Sequence, residues 1–136
     1  MTAPVVVTQH VPAPPARVYR AWTDPDELRV WWWPQWPDTT YVVDVRVGGA
    51  YRIRSEAVGM GVHGVFTALD EPDRIVLTWV WEDGDAMSAE DTVTVDLAAH
   101  DGGTLVTVTH DVTSPADADG YRQGWTDVLN RLSELT

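Results

Sequence analysis

The chain contains no cysteine and no lysine, has a single phenylalanine, and nowhere strings together the roughly 20 apolar residues that cross a bilayer. Without cysteine there can be no disulfide scaffold, thiolate metal site or cysteine nucleophile, and the composition fits a reducing cytoplasm. Without lysine, all nine basic residues are arginine, set against 21 acidic ones for a net charge of −12. A chain this acidic is repelled by phosphate backbones, so nucleic acid is excluded as a partner. The opening Met1-Thr2-Ala3-Pro4 has neither a basic nor an apolar leader segment. A cytoplasmic location without membrane attachment is therefore expected.

Several catalytic patterns are missing too. No two histidines stand at helical ligand spacing, and the carboxylates are scattered over outward strand faces, so neither a metal nor any other cofactor is expected. Gly48-Gly49 precedes a strand and not a helix, so it reads as a hairpin and not a phosphate loop. No Gly-x-Ser-x-Gly elbow occurs.

What the chain does have is tryptophan. Eight are present, within an apolar fraction of 44% that is ample for a core. Its 136 residues suit a single domain over residues 1–136. Tryptophan is large and stiff, and its N–H seeks a partner, so a surplus serves either as core or as the lining of a cavity.

Hydrophobic periodicity gives the elements. Val5 to Val11 is β-rich and stops at Pro12. Pro15 then starts a short helix with Val18, Ala21 and Trp22 at helical spacing. Asp24-Pro25 opens a second, capped by Asp24, that runs through Leu28 into Trp31-Trp32-Trp33 and breaks at Pro34. From Tyr41 the period becomes two. Strands are predicted near 41–47, 50–56, 62–69, 75–82, 89–98 and 104–112, separated by Gly48-Gly49, Glu71-Pro72-Asp73, Gly84-Asp85 and Asp101-Gly102-Gly103. Ser114-Pro115-Ala116-Asp117 opens a long final helix whose stripe is Tyr121, Trp125, Val128, Leu132 and Leu135. One such helix cannot cover both faces of a meander, so the sheet must curl around it and the two short helices close one end.

This layout, with Val11-Pro12-Ala13-Pro14-Pro15-Ala16-Arg17-Val18-Tyr19, Trp22-Thr23-Asp24-Pro25, Asp44-Val45-Arg46-Val47-Gly48-Gly49-Ala50-Tyr51, Leu77-Thr78-Trp79, the run Gly103 to His110, and Gly124-Trp125, resembles the SRPBCC (START-like, birch-pollen-allergen-like) superfamily. Within it the chain is similar to the activator-of-heat-shock-ATPase homologues. The resemblance implies an α+β helix-grip fold. A curved antiparallel sheet of about seven strands would carry two short helices and a long C-terminal helix across its concave face. Relatives of this type include ligand carriers, polyketide cyclases and aromatases, sequestering resistance proteins and a co-chaperone domain. They share no catalytic motif that could be carried over.

Strand alternation picks out the inward faces. Tyr51 and Ile53, Leu77, Trp79 and Trp81, Asp91, Val93 and Val95, and Val106, Val108 and His110 should point inward, with Arg52, Arg54, Thr94, Asp96, Thr107 and Thr109 more exposed. The turn at Asp101-Gly102-Gly103 sets a register of Val95 opposite Val108 and Val93 opposite His110, leaving Asp91 diagonal to His110 and Trp79 beside Asp91, under Trp125. His110 and Asp91 are thus either an acid/base or ligand-anchoring pair, or a hydrogen-bonded core histidine with a structural role. The expected cavity lining is Trp31, Trp32, Trp33, Tyr51, Trp79, Trp81, His110 and Trp125.

The function expected is binding of a small hydrophobic, aromatic or polyketide-like molecule. Two alternatives stay open. One is a cyclase-, aromatase- or dehydratase-type enzyme using His110, Asp91 and Tyr51. The other is a co-chaperone-like interaction module.

Overall fold

The computed structural model describes residues 4–135, so the leader reading of residues 1–3 lies outside the described residues. Eight strands and three helices follow in the order β1 (Val5–Val11), α1 (Pro15–Thr23), α2 (Pro25–Trp31), β2 (Thr40–Val43), β3 (Ala50–Ser55), β4 (Met60–Asp70), β5 (Arg74–Asp83), β6 (Ala86–Met87), β7 (Asp91–His100), β8 (Gly103–Asp111) and α3 (Ala118–Leu132). The sheet is antiparallel in the order β1-β8-β7-β5-β4-β3-β2, with β6 appended to β5. Strands β1 and β2 are consecutive in the chain yet occupy opposite edges. The α1–α2 pair spans the sheet between them and closes one end. α3 packs against the apolar face, next to β1 and α2. This is the helix-grip fold.

Local chemistry explains the helices. Asp24 serves both short ones: its N–H ends α1 on the Arg20 carbonyl, and its carboxylate accepts from the Asp26 N–H at the start of α2. Arg17 ties α1 to Glu27 of α2 at 2.6 Å. α3 begins later than its sequence suggests. Pro115–Asp117 forms a 3-10 turn first, and neither Ser114 nor Asp117 makes a side-chain cap.

The expected inward sets of β3, β5, β7 and β8 are buried, from Tyr51 and Ile53 through Val106, Val108 and His110, save Trp81, which is half-buried, and Trp125, Val128 and Leu132 of α3 join them. The register is the one set by the turn, with Val95 opposite Val108, Val93 opposite His110 and Trp79 opposite Asp91. Each buried Val is worth about 2 kcal/mol over exposure, so a one-residue slip is strongly disfavoured.

Two strands differ from expectation. β2 ends at Val43 and not Val47, because residues 44–49 form a loop around Gly49, whose buried Cα lies where an added Cβ would stand 2.0 Å from the Asp44 carbonyl oxygen. Gly84-Asp85 does not lead into β7. It turns β5 onto the two-residue β6, pairing Asp83 with Ala86.

Candidate functional site

The strand register places Asp91, the first residue of β7, diagonally across from His110 on β8. His110 Nε2 lies 2.8 Å from Asp91 Oδ2, and the Thr113 backbone N–H donates to Asp91 Oδ1 at 2.9 Å. From α3, Trp125 donates its indole N–H to His110 Nδ1 at 3.0 Å. An indole nitrogen can only donate, so Nδ1 must be the accepting nitrogen and Nε2 carries the proton that Asp91 receives. The tautomer is fixed by geometry. Burial pushes the His110 pKa below its ordinary value despite the opposing pull of Asp91, so the ring is neutral at pH 7. His110 is fully buried, with Tyr121 packed on it at 4.3 Å and Trp79 at 5.3 Å between ring centroids. Both nitrogens are thus engaged, and the ring couples α3 to two strands.

In front of this relay lies a cavity of about 400 Å³ between β5 and α3. Its aromatic wall is Trp32, Trp33, Trp79, Trp81, Tyr121 and Trp125, with Val128, Ala116, Gly120 and Gly124 completing it and Asp83, Ser88 and Asp117 also lining it. Trp79 and Trp81, two apart on β5, present nearly parallel rings, with 12° between their planes. Trp33 meets Trp81 edge to face at 5.7 Å.

Three consecutive rings would normally diverge. Here Trp31, Trp32 and Trp33 are all buried because the chain leaves α2 extended at Trp32 and enters the left-handed region at Trp33, φ 53°. That conformation is disfavoured by about 1–2 kcal/mol for a residue with a Cβ, and it brings the Trp33 ring to the cavity.

Behind Trp32, Trp79 and Trp125 is a second, apolar space of only about 30 Å³. Trp22, Leu28, Val43, Tyr51, Ile53, Phe66 and Leu77 complete its lining. Tyr51 donates its hydroxyl to the Thr78 carbonyl at 2.6 Å, and burial raises its pKa far above the ordinary phenol value, so it holds its proton throughout the physiological range.

The structure thus places Trp32, Trp33, Trp79, Trp81 and Trp125 on the main cavity and Tyr51 on the inner space. Trp31 is in the core, donating to the Ala21 carbonyl at 3.0 Å. His110 and Asp91 stand behind the wall and not on it. Sequence reasoning passed over Tyr121 as a lining residue, although it stands one helical turn before Trp125 on the same stripe. Asp83, Ser88 and Asp117 carried no signal, because the β6 hairpin and the 3-10 turn that position them were not foreseen.

On the opposite face of the sheet, Glu82 accepts from Arg52, Arg54 and His63 at 2.8, 2.7 and 2.6 Å. These hydrogen bonds, from Arg52 foremost, hold its pKa down at about 2. Among the described residues no group of three or more His, Cys, Asp or Glu side chains could hold a metal, and no helix is long and apolar enough to cross a membrane.

The fold has counterparts among known proteins. DynU16, a protein of the dynemicin biosynthetic locus, superposes with a TM-score of 0.82 at 21% identity, over 98% of this chain and 47% of its own. The chain therefore spans about half the length of DynU16. CalU16 from Micromonospora echinospora gives 0.74 at 24% identity, over 95% of this chain and 73% of its own. CV1439 from Chromobacterium violaceum gives 0.80 at 27% identity, over 98% and 96%. No curated protein matches the chain in sequence. Residues 12–136 match the family described as "Activator of Hsp90 ATPase homolog 1-like protein", and the chain belongs to that family, within the SRPBCC superfamily.

Proposed function

We propose that the chain binds a small, flat, largely apolar molecule in the cavity between β5 and α3. The observation that carries this reading is the pairing of an aromatic wall with two glycines on the facing helix. Gly120 and Gly124 stand one turn apart within α3, both line the cavity, and a Cβ added at either would meet nothing within 4 Å. Neither close packing nor a positive φ requires glycine there, while each weakens the helix by about 1 kcal/mol relative to alanine. Space for a ligand is what the two glycines preserve. The volume of about 400 Å³ falls within the range of small-molecule pockets. In this reading His110 and Asp91 act as positioning residues that hold Trp125, and with it α3, against the cavity wall.

Titration with a neutral aromatic such as 2-naphthalenemethanol, read by tryptophan emission, tests the proposal. Saturable quenching is expected, weakened about tenfold by Trp81→Ala through loss of ring contact. Gly124→Phe should fill the cavity and abolish binding while the thermal melt is retained. Quenching that survives Gly124→Phe unchanged would place the ligand elsewhere and contradict the reading.

A further inference from the structure

Resting on the cavity reading, we propose that the ligand is a neutral aromatic carbonyl compound, a ketone or quinone, whose oxygen is read by the indole N–H of Trp32. Trp32 walls both the main cavity and the small inner space, and it is 4% exposed. Its buried indole nitrogen has no hydrogen-bond acceptor among the described residues. The same is true of Trp22, which lines the inner space. Trp79 is unpaired as well, but the Tyr121 hydroxyl lies close enough to interact with its indole.

Buried donors are almost always paired, and leaving one unpaired is unfavourable by about 1–3 kcal/mol. Elsewhere this chain satisfies its buried indoles: Trp31 donates to Ala21 and Trp125 to His110. The unpaired donors are instead those of residues that line the inner space. That space, about 30 Å³, has room for one oxygen atom and not for a ring. A flat ring system lying along Trp79 and Trp81 in the main cavity could direct a single carbonyl oxygen past Trp32.

Charge narrows the class further. Asp83 and Asp117 line the main cavity, no arginine or histidine does, and among the described residues neither aspartate has a cationic partner within 4.0 Å. An anionic oxygen would meet like charge there with no compensation, so a carboxylate or phenolate is rejected and a neutral carbonyl accepted.

Three probes of one shape separate these contributions: 2-acetylnaphthalene, its hydrocarbon isostere 2-isopropenylnaphthalene, and 2-naphthoate. Affinities are read by tryptophan emission, and the indole N–H resonances are followed in parallel. The ketone should bind about fivefold tighter than the hydrocarbon and move the Trp32 indole proton downfield, while naphthoate should bind most weakly. Trp32→Phe, which removes the unpaired donor and leaves a smaller ring, should lower the melting temperature through lost packing, keep a cooperative melt, and erase the preference for ketone over hydrocarbon. Equal binding of ketone and hydrocarbon, or a preference that survives Trp32→Phe, overturns the proposal and leaves the cavity reading intact. Tighter binding of naphthoate than of the ketone also overturns it. Failure of all three probes to bind overturns both.

Discussion

His110 shows what a single residue contributes. Its lone pair on Nδ1 faces a donor and its proton on Nε2 faces a carboxylate, so the neutral ring satisfies both neighbours. A second proton on Nδ1 would point at the Trp125 N–H. The folded pKa lies below the ordinary histidine value because of burial, chiefly, so the unfolded chain takes up this proton more readily than the folded one. The resulting stability is fully present above about pH 6.5 and is lost as pH falls below it, with a slope of up to about 1.4 kcal/mol per pH unit. Urea unfolding between pH 7.5 and 5 should show that slope. His110→Gln should be less stable at neutral pH by about 1–3 kcal/mol through the broken relay, and its slope should be flatter by this contribution. An unchanged slope in the variant would mean that His110 titrates normally within the fold.

At the scale of elements, α3 carries the clearest signature of compromise. Gly120 and Gly124 interrupt an otherwise well-formed helix, and both lie on the cavity. Gly120→Ala and Gly124→Ala should each stabilise the protein by about 0.5–1 kcal/mol, measured by thermal or urea unfolding, because the added Cβ meets nothing and the helix gains propensity. Destabilisation by either would show a packing demand on the glycine and mean that it does not serve to preserve space. The elements themselves were largely legible. Strict alternation in β5, β7 and β8, with a turn of fixed length between β7 and β8, determines which residues meet, and hence the approach of Asp91 to His110. What alternation could not convey is how outward-facing residues behave once assembled. Glu82 faces away from the core, which predicts exposure, yet it is 1% exposed because Arg52, Arg54 and His63 close over it. Gly48-Gly49 and Gly84-Asp85 marked turns, but the loop at residues 44–49 and the β6 hairpin they belong to were not legible, for a related reason. Their shapes depend on close backbone approach and on pairing with an existing edge, neither of which leaves a periodic trace.

For the molecule as a whole, the acidic surface, the curled sheet and the tryptophan surplus serve separate ends. A net charge of −12 favours solubility and repels polyanions. The sheet and α3 build an aromatic wall, and Gly120 and Gly124 present no side chain to the cavity in front of it. Part of the site was legible as a set of tryptophans. The division of that set into core, outer wall and inner wall was not, because it depends on the left-handed turn at Trp33 and on the Trp31 hydrogen bond to Ala21.

That division gives the central claim its most direct test, a ¹H–¹⁵N spectrum in which the eight tryptophans supply eight indole signals. Saturating the protein with a neutral naphthalene probe should shift the signals of Trp32, Trp33, Trp79, Trp81 and Trp125, which line the cavity, and leave Trp31, held in the core, in place. A saturable titration in which the Trp33 and Trp81 signals stay fixed would contradict binding between β5 and α3.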